Sequence, residues 1–530
     1  MTENTPDTNP AETPAAEPTE SELIRIRREK LDRIVAAGFD AFPTKAEVNA
    51  TITDLVAENT PKTAEELDAN PKQVKIAGRV MSIRDHGKSA FLDLSERTGR
   101  IQVYVRKDTV TESQWTLLQN LDLGDWVAIE GPVFRTKKGE LSVKAESMTF
   151  LVKALRPLPS NWHGLTDVEQ RYRQRYVDLI VNDDVKRTFE NRARIVRYIR
   201  NYFDSNGFIE VETPMMQPIA GGAAARPFVT HHNTLDIDLF LRIAPELYLK
   251  RLIVGGLSRV YEINRNFRHE GISTQHNPEF TMLEFYQAYA DYEVLIAETE
   301  ELLAGLVQEI KGGPDVTFRG HEISFATPFA RFTMKEAIVH FGAKKGLTIT
   351  PESLDDHSTL VELVLAHGEH RPVKADGTEG PEGSPAPKVA SMNSGKLIAE
   401  LFESLAEAHL INPTFITDFP VEVSPLSKQR KDDPRYVERF ELYIGGMELA
   451  NAFSELNDAD EQGRRFAQQV NEREHGDDEA HQVDDDYVNA LEYGMPPTGG
   501  EGLGIDRLAM ILTDSPSIRD VILFPLMRPK

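Results

Sequence analysis

Arg259-Val260-Tyr261-Glu262-Ile263-Asn264-Arg265-Asn266-Phe267-Arg268-His269-Glu270, followed after residues 271–278 by Glu279-Phe280-Thr281-Met282-Leu283-Glu284-Phe285-Tyr286, reads as strand, loop and strand. Period-two alternation puts Asn266, Arg268 and Glu270 on one face of the first strand, and Phe280, Met282, Glu284 and Tyr286 on one face of the second. A solvated sheet face accounts for that parity. So does a ligand site, because an amide, a guanidinium, carboxylates and aromatic rings then share one side. The strand pattern alone leaves both open.

Upstream, residues 194–203 carry Ile195, Ile199, Tyr202 and Phe203 on one helical stripe. Asn206-Gly207 turns the chain into residues 208–214, a strand that Pro214 ends. Far downstream, Arg439-Phe440-Glu441-Leu442-Tyr443-Ile444-Gly445-Gly446-Met447-Glu448-Leu449-Ala450 holds a Gly-Gly hairpin signal. Counting back from that turn sets Tyr443 opposite Glu448 and Glu441 opposite Ala450. Glu441 and Glu448 then lie diagonally on one face, within reach of a shared cation. A pair of exposed hairpin acids is the plainer reading. Gly499, Gly500, Gly502 and Gly504 precede Ile505-Asp506-Arg507-Leu508, where glycine brings backbone close to a ligand or simply opens a helix.

Other signals exclude chemistry. Gly87-Lys88-Ser89 lacks the first glycine of a phosphate-binding loop, since Ser82 stands there, and reads as a turn. The glycines before Arg507 do not complete a dinucleotide fingerprint. With no cysteine, disulfides and thiolate metal sites are excluded, so any metal must use carboxylates or histidines. A formal charge of -25 argues against general adhesion to nucleic acid, so such a partner needs a local or base-specific surface. No apolar run approaches the roughly 20 residues of a membrane span. A cytoplasmic location is the default expectation.

The chain has 530 residues, too many for one ordinary domain. The expected organisation is a disordered tail over 1–20, an N-terminal helical segment over 21–70, a small barrel over 71–155, a linker over 156–170 and a large domain over 171–530. Residues 371–390, rich in Pro, Gly and charge, are expected to be an inserted surface loop. In the helical segment, Arg25, Arg27, Arg28, Lys30 and Arg33 suit a solvated face or contact with nucleic-acid phosphates. The barrel follows from short β-rich runs at 74–83, 90–94, 101–105, 126–133 and 141–143, separated by turn residues.

Phe267-Arg268-His269-Glu270 with Asn277-Pro278-Glu279-Phe280 resembles motif 2 of the class II aminoacyl-tRNA synthetases. Residues 194–214 resemble motif 1, which in that family lies at a dimer interface, and Gly502-Leu503-Gly504-Ile505-Asp506-Arg507 resembles motif 3. Segments such as Ala244-Pro245-Glu246-Leu247-Tyr248-Leu249-Lys250 and Asn451-Ala452-Phe453-Ser454-Glu455 extend the likeness to the lysyl-tRNA synthetases of bacteria, from residue 21 to 529. The resemblance implies an α+β multidomain fold, with an N-terminal oligonucleotide-binding (OB) barrel and a catalytic antiparallel sheet flanked by helices. It implies ATP-dependent lysine activation and transfer to tRNA(Lys) by a homodimer with Mg2+.

By the same likeness, Arg268 and Arg507 are catalytic. Arg268, Glu270, His276, Phe280 and Arg507 bind ATP, and Glu441 and Glu448 hold the metal. Gly222, Glu246, Glu284, Tyr286, Asn451, Phe453 and Glu455 bind lysine, with Glu455 and Tyr286 at its ε-ammonium. Arg84, Phe91, Gln102 and Glu140 take anticodon bases. Strict alternation sets Glu455 on the opposite parity to Glu448, so a bulge or twist must intervene if both face one cavity. Two positions depart from the family pattern: Ala452 replaces a glycine and Gln275 an arginine. An aspartyl- or asparaginyl-tRNA synthetase is the nearest rival, and a catalytically silent RNA-binding relative the rival from another class.

Overall fold

A computed structural model describes residues 19–97, 99–159, 164–223, 225–368, 386–474 and 483–529, which fall in two compact units, Met1–Arg187 and Thr188–Lys530. The expected tail lies outside the described residues except for its end. There Thr19 caps the helix Glu20–Ala36 in a reciprocal box with Glu22. Short helices Ile52–Asn59 and Ala64–Ala69 follow. Arg27 is neither solvated nor free for phosphates: it is 9% exposed and donates to the carbonyls of Leu123, Ala154 and Arg156.

The rest of the first unit is a barrel of β1 (Gln73–Asp85), β2 (Ser89–Glu96), β3 (Gly99–Arg106), β4 (Trp126–Arg135) and β5 (Leu141–Lys144), with β6 (Ser147–Val152) added beside β4. The order β1-β2-β3-β5-β4 closes because β4 also pairs with β1. Closure leaves none of these five strands as a free edge. Val74, Ile76, Leu92, Leu94, Val103, Val127 and Ile129 point inward, none more than 1% exposed. Gly87, at φ 78°, makes the β1–β2 turn, so its Gly-Lys-Ser run is a hairpin tip. Within the expected linker, the helix Val168–Arg173 already begins.

The second unit is built on an eight-stranded sheet. Its strands are β7 (Ile209–Glu210), β11 (Arg259–Phe267), β12 (Glu279–Ala288), β15 (Ala330–Thr333), β16 (Thr414–Pro420), β17 (Tyr436–Ile444), β18 (Met447–Ser454) and β19 (Thr498–Gly504). They lie in the order β15-β16-β17-β18-β19-β12-β11-β7. A smaller sheet joins β8 (Met216–Gln217), β9 (Val229–His232) and β10 (Ile237–Leu241), and β13 (Asp315–Phe318) pairs with β14 (His321–Ser324). The interior of the large sheet is antiparallel as expected, but both edge pairings, β15–β16 and β7–β11, are parallel. One face packs on the helices Asp183–Ser205, Tyr292–Lys311 and Ile505–Thr513 through Phe203, Leu283, Phe285, Leu303, Leu503 and Leu508, each worth roughly 1.5–3 kcal/mol of apolar burial.

Three expectations change in detail. The strand foreseen at 208–214 shrinks to β7, because Val211 makes the last bond to Tyr261 and Pro214 has no N–H to continue the ladder. The glycine cluster before Arg507 is not only a helix entry: Thr498–Gly504 is a central strand held between β12 and β18. Of the expected surface loop, 371–385 lies outside the described residues, while Ala386–Ser391 forms a helix in which Val389 is fully buried.

Candidate active site

The face of the sheet away from the helices lines a cavity of about 620 Å3. Its floor follows from the glycine strand. Register runs Tyr286–Gly500–Phe453 and Glu284–Gly502–Asn451 straight across β12, β19 and β18. Since alternate residues share a face, Gly500, Gly502 and Gly504 leave the floor bare, while Glu501 and Leu503 point to the core. Of the active-site positions named from the sequence in this unit, all except Glu455 line this single cavity.

One end is cationic. β11 and β12 pair with Asn266 opposite Phe280 and Glu262 opposite Glu284, so the parity read for β12 and for Asn266 holds, whereas the first strand, expected to run to Glu270, ends at Phe267 and leaves Arg268 and Glu270 outside it. Arg268 lies one residue beyond β11, tied by its N–H to the Pro278 carbonyl at 2.9 Å. Its guanidinium sits 5.1 Å above the Phe280 ring, and its buried Nε has no hydrogen-bond partner. Arg507 donates to the Glu448 carbonyl and comes within 3.5 Å of its carboxylate. His276 is held by Ser273 at 3.0 Å, and burial plus the nearby Arg507 lower its proton affinity.

The β17–β18 hairpin supplies two acids. Tyr443 pairs with Glu448 as counted, but Glu441 pairs with Asn451 and not with Ala450, because Leu449 is an extra residue in β18. That bulge is the parity change Glu455 required. Glu448 before it, and Asn451 and Phe453 after it, all face the cavity. Burial pushes the Glu441 carboxyl up to about 7, opposed by Arg439 and reinforced by Glu448, and it also takes a hydrogen bond from Tyr443. Among the described residues no group of three or more His, Cys, Asp or Glu could enclose a metal. Two converging carboxylates suit a Mg2+ that draws its other oxygens from water and phosphate, and a divalent cation would relieve the crowding at Glu441. Ala452, 0% exposed, packs in the core on the opposite face of β18, whereas Gln275 lines the cavity.

The other end is anionic. Glu246, Glu284 and Tyr286 are each buried, and burial raises the proton affinity of all three. Gly222, at φ 90°, lies beside Glu246, where a Cβ would sit 3.0 Å from that of Glu246. Glu455 follows β18 and is 1% exposed, packed against the cavity-facing side of Gly500. A Cβ on Gly500 would fall 2.2 Å from Glu455 Oε1 and 2.4 Å from the Tyr286 ring, so the carboxylate and the ring occupy the space that the missing side chain leaves. Oε1 has no hydrogen-bond partner, while Oε2 is paired with Lys250. The sequence reading singled out neither Lys250 nor Gly500 for a role. Lys250 stands four residues after Glu246, a helical spacing that signals a shared face.

On the barrel, Arg84 pairs with Phe91 and Phe91 with Tyr104 in register, and Asp93 with Gln102 and Gln102 with Ser142. All lie on the face opposite Ala90, Leu92 and Leu94, which point inward, although Gln102 and Ser142 are themselves buried. Arg84 forks onto Asp93 at 2.8 and 2.9 Å, the Phe91 and Tyr104 rings stack at 4.7 Å, and Gln102 accepts from Ser142 at 3.0 Å. Glu140 ends the adjacent β4–β5 turn, exposed. The face offers stacking rings and amide and guanidinium edges, the chemistry that reads unpaired bases.

The family model described as "tRNA synthetases class II (D, K and N)" matches residues 167–528, and that of an "OB-fold nucleic acid binding domain" matches 74–151. The chain is 52% identical over 511 residues to the lysine--tRNA ligase of Moorella thermoacetica, covering 96% of this chain and 99% of that one. It is 51% identical over 510 residues to that of Syntrophomonas wolfei, covering 96% and 98%, and 50% identical over 518 residues to that of Azoarcus sp., covering 98% and 99%.

Proposed function

The chain belongs to the class II tRNA synthetases, among the lysine--tRNA ligases, and from that premise we propose how its residues divide the work. The enzyme activates L-lysine with ATP and transfers it to tRNA(Lys). One observation carries the assignment of residues: a single cavity bounded by Arg268 and Arg507 at one end, with the unpartnered oxygen of Glu455 packed against its floor residue Gly500 at the other.

Glu455 Oε1 and the Tyr286 hydroxyl receive the ε-ammonium. Glu246 and Glu284 receive the α-amino group beside Gly222, and Asn451 and Phe453 shape the wall between. An aspartate side chain would bring a carboxylate into this acidic end, which disfavours the nearest rival. The lysine carboxylate is then presented to the α-phosphorus of ATP. Its attack forms lysyl-adenylate and expels pyrophosphate, with no protein nucleophile. Arg268 offers paired donors to the α-phosphoryl oxygens, where charge develops. Arg507 and His276 steady the leaving phosphates, Phe280 stacks on the base, and Glu270 contacts the nucleotide. Glu441 and Glu448 would hold a Mg2+, which would supply positive charge against the phosphates. The 3′-hydroxyl of tRNA attacks the adenylate carbonyl in the second step, releasing AMP.

In this reading the OB barrel stacks an anticodon base on Phe91, with Arg84, Gln102 and Glu140 at base edges. Exposed Ile209, Met215, Met216 and Val229, near the motif 1 segment, supply apolar surface for a second copy. No helix among the described residues is long and apolar enough to cross a membrane. A role in translation supports a cytoplasmic location. Replacing Arg268 with alanine tests the core of the proposal. Lysine-dependent exchange of pyrophosphate into ATP falls by about 10²-fold or more while the melting temperature holds. Near-native exchange removes Arg268 from the mechanism.

A further inference from the structure

Lys250 is buried without a solvent contact, and its ammonium lies between two acids of the lysine end. It is 2.6 Å from Glu246 Oε1 and paired with Glu455 Oε2. Glu246 and Lys250 share one helix, Glu246–Val254, whereas Glu455 comes from the end of β18. The ammonium also lies 5.4 Å from the Phe453 ring and 5.8 Å from that of Tyr487. It therefore ties two acids from separate elements to one point. At Glu455 it occupies one oxygen and leaves the other bare.

We propose that Lys250 is a positioning residue for lysine recognition: its fixed cation anchors Glu246 and Glu455 at a set spacing and keeps Glu455 Oε1 turned to the substrate's ε-ammonium. The proposal deepens the reading of Glu455 given above and rests on it. Three features favour it over a merely structural ion pair. Both acids it holds are assigned to the substrate, one for each of its two amino groups. The oxygen it leaves unpaired is the one packed against Gly500, a residue of the cavity floor. And a buried pair is weak evidence for stability by itself, since apolar packing often serves as well.

The groups facing this ammonium are Glu246 on its own helix, Glu455, and Tyr487 on the helix Asp485–Glu492. Glu284 and Tyr286 of β12 and Arg439 of β17 act on the same acids. Burial drives the Glu455 and Glu246 carboxyls up, Glu455 to about 8, and Lys250 is the nearest cation opposing it. Burial also works against the ammonium itself, but the two acids hold its proton affinity above the ordinary lysine value. Removing this charge while keeping hydrogen-bonding capacity therefore raises both acids further.

Lys250→Gln, Lys250→Arg and Glu455→Gln decide the matter, read by the KM for lysine and for ATP between pH 6 and 9. In Lys250→Gln, the KM for lysine at pH 7 rises by about 30-fold or more, with the KM for ATP little changed. The acidic limb of kcat/KM for lysine moves up by at least ~1 pH unit, because its acids have lost their cation. Lys250→Arg keeps the limb in its native position. A structural role would raise KM evenly at all pH values, and that result, or native behaviour in Lys250→Gln, overturns the proposal. If Lys250→Gln does not fold, Lys250→Arg decides: a lysine KM and an acidic limb both near native support the proposal, whereas a displaced limb or a KM raised evenly at all pH values overturns it. Glu455→Gln separates the two levels: if it binds lysine normally, the reading of the pocket fails; if it does not while Lys250→Gln does, only the role of Lys250 fails.

Discussion

Gly500→Ala places one methyl group at the point where the account is least tolerant. The new carbon would lie 2.2 Å from Glu455 Oε1 and 2.4 and 2.6 Å from two ring carbons of Tyr286. Comfortable contacts between such atoms need roughly 3.5 Å, so acid and ring must each retreat by about 1 Å. Neither is a free end: Tyr286 is 3% exposed in a central strand, and Glu455 is held by Lys250. Overpacking of this kind costs about 1–3 kcal/mol of stability. A 1 Å displacement at a positioning group costs about 10²-fold in turnover efficiency. Pyrophosphate exchange titrated with lysine and separately with ATP gives the split. The loss falls on kcat/KM for lysine, and the KM for ATP stays near native because Phe280 and Arg268 lie at the other end. Native lysine kinetics in a folded Gly500→Ala enzyme refute the placement of the ε-ammonium at Glu455 and Tyr286 beside Gly500.

Glu441→Gln removes one of the two carboxylates proposed to hold Mg2+, so half-maximal exchange needs about tenfold more Mg2+, measured by titration at fixed ATP. An unchanged requirement sets Glu441 aside. Glu501 gives a pH test independent of catalysis. Burial pushes its carboxyl up to about 8, opposed by a hydrogen bond from Thr299. The folded state then keeps a proton that the unfolded chain releases near 4.5, so stability is full at low pH and declines as pH rises through the window to about 8, by up to ~1.4 kcal/mol per pH unit. Glu501→Gln flattens that slope in thermal melts; equal slopes for both proteins contradict it. Phe91→Ala raises the KM for tRNA, since a stacked base is worth about 1–3 kcal/mol. A loss confined to pyrophosphate exchange instead would argue against the anticodon role.

What the sequence disclosed was the local periodicity. The faces of β11 and β12 could be read because alternation is a property of each strand, and five barrel strands stood out for the same reason. The alternation of Met148 and Phe150 marks β6, but its separation from β5 by only two residues hid it. The glycine strand was illegible for a physical reason. Glycine disfavours strands, and only the pairing of β12 and β18 on either side imposes one. The Leu449 bulge likewise depends on the register of two strands, which a count from the turn cannot sense. Arg27 and Lys250 look like ordinary surface cations until distant carbonyls and Glu455 surround them. The roles themselves came from family resemblance; the geometry added that the residues of one end and the other share a cavity.

The most direct measurement is pyrophosphate exchange driven in turn by lysine, aspartate and asparagine, in the native enzyme and in Glu455→Gln. The account predicts exchange with lysine alone, and a fall in kcat/KM for lysine of about 10²-fold when the carboxylate becomes an amide. Exchange driven by aspartate or asparagine, or lysine exchange indifferent to Glu455, would contradict it.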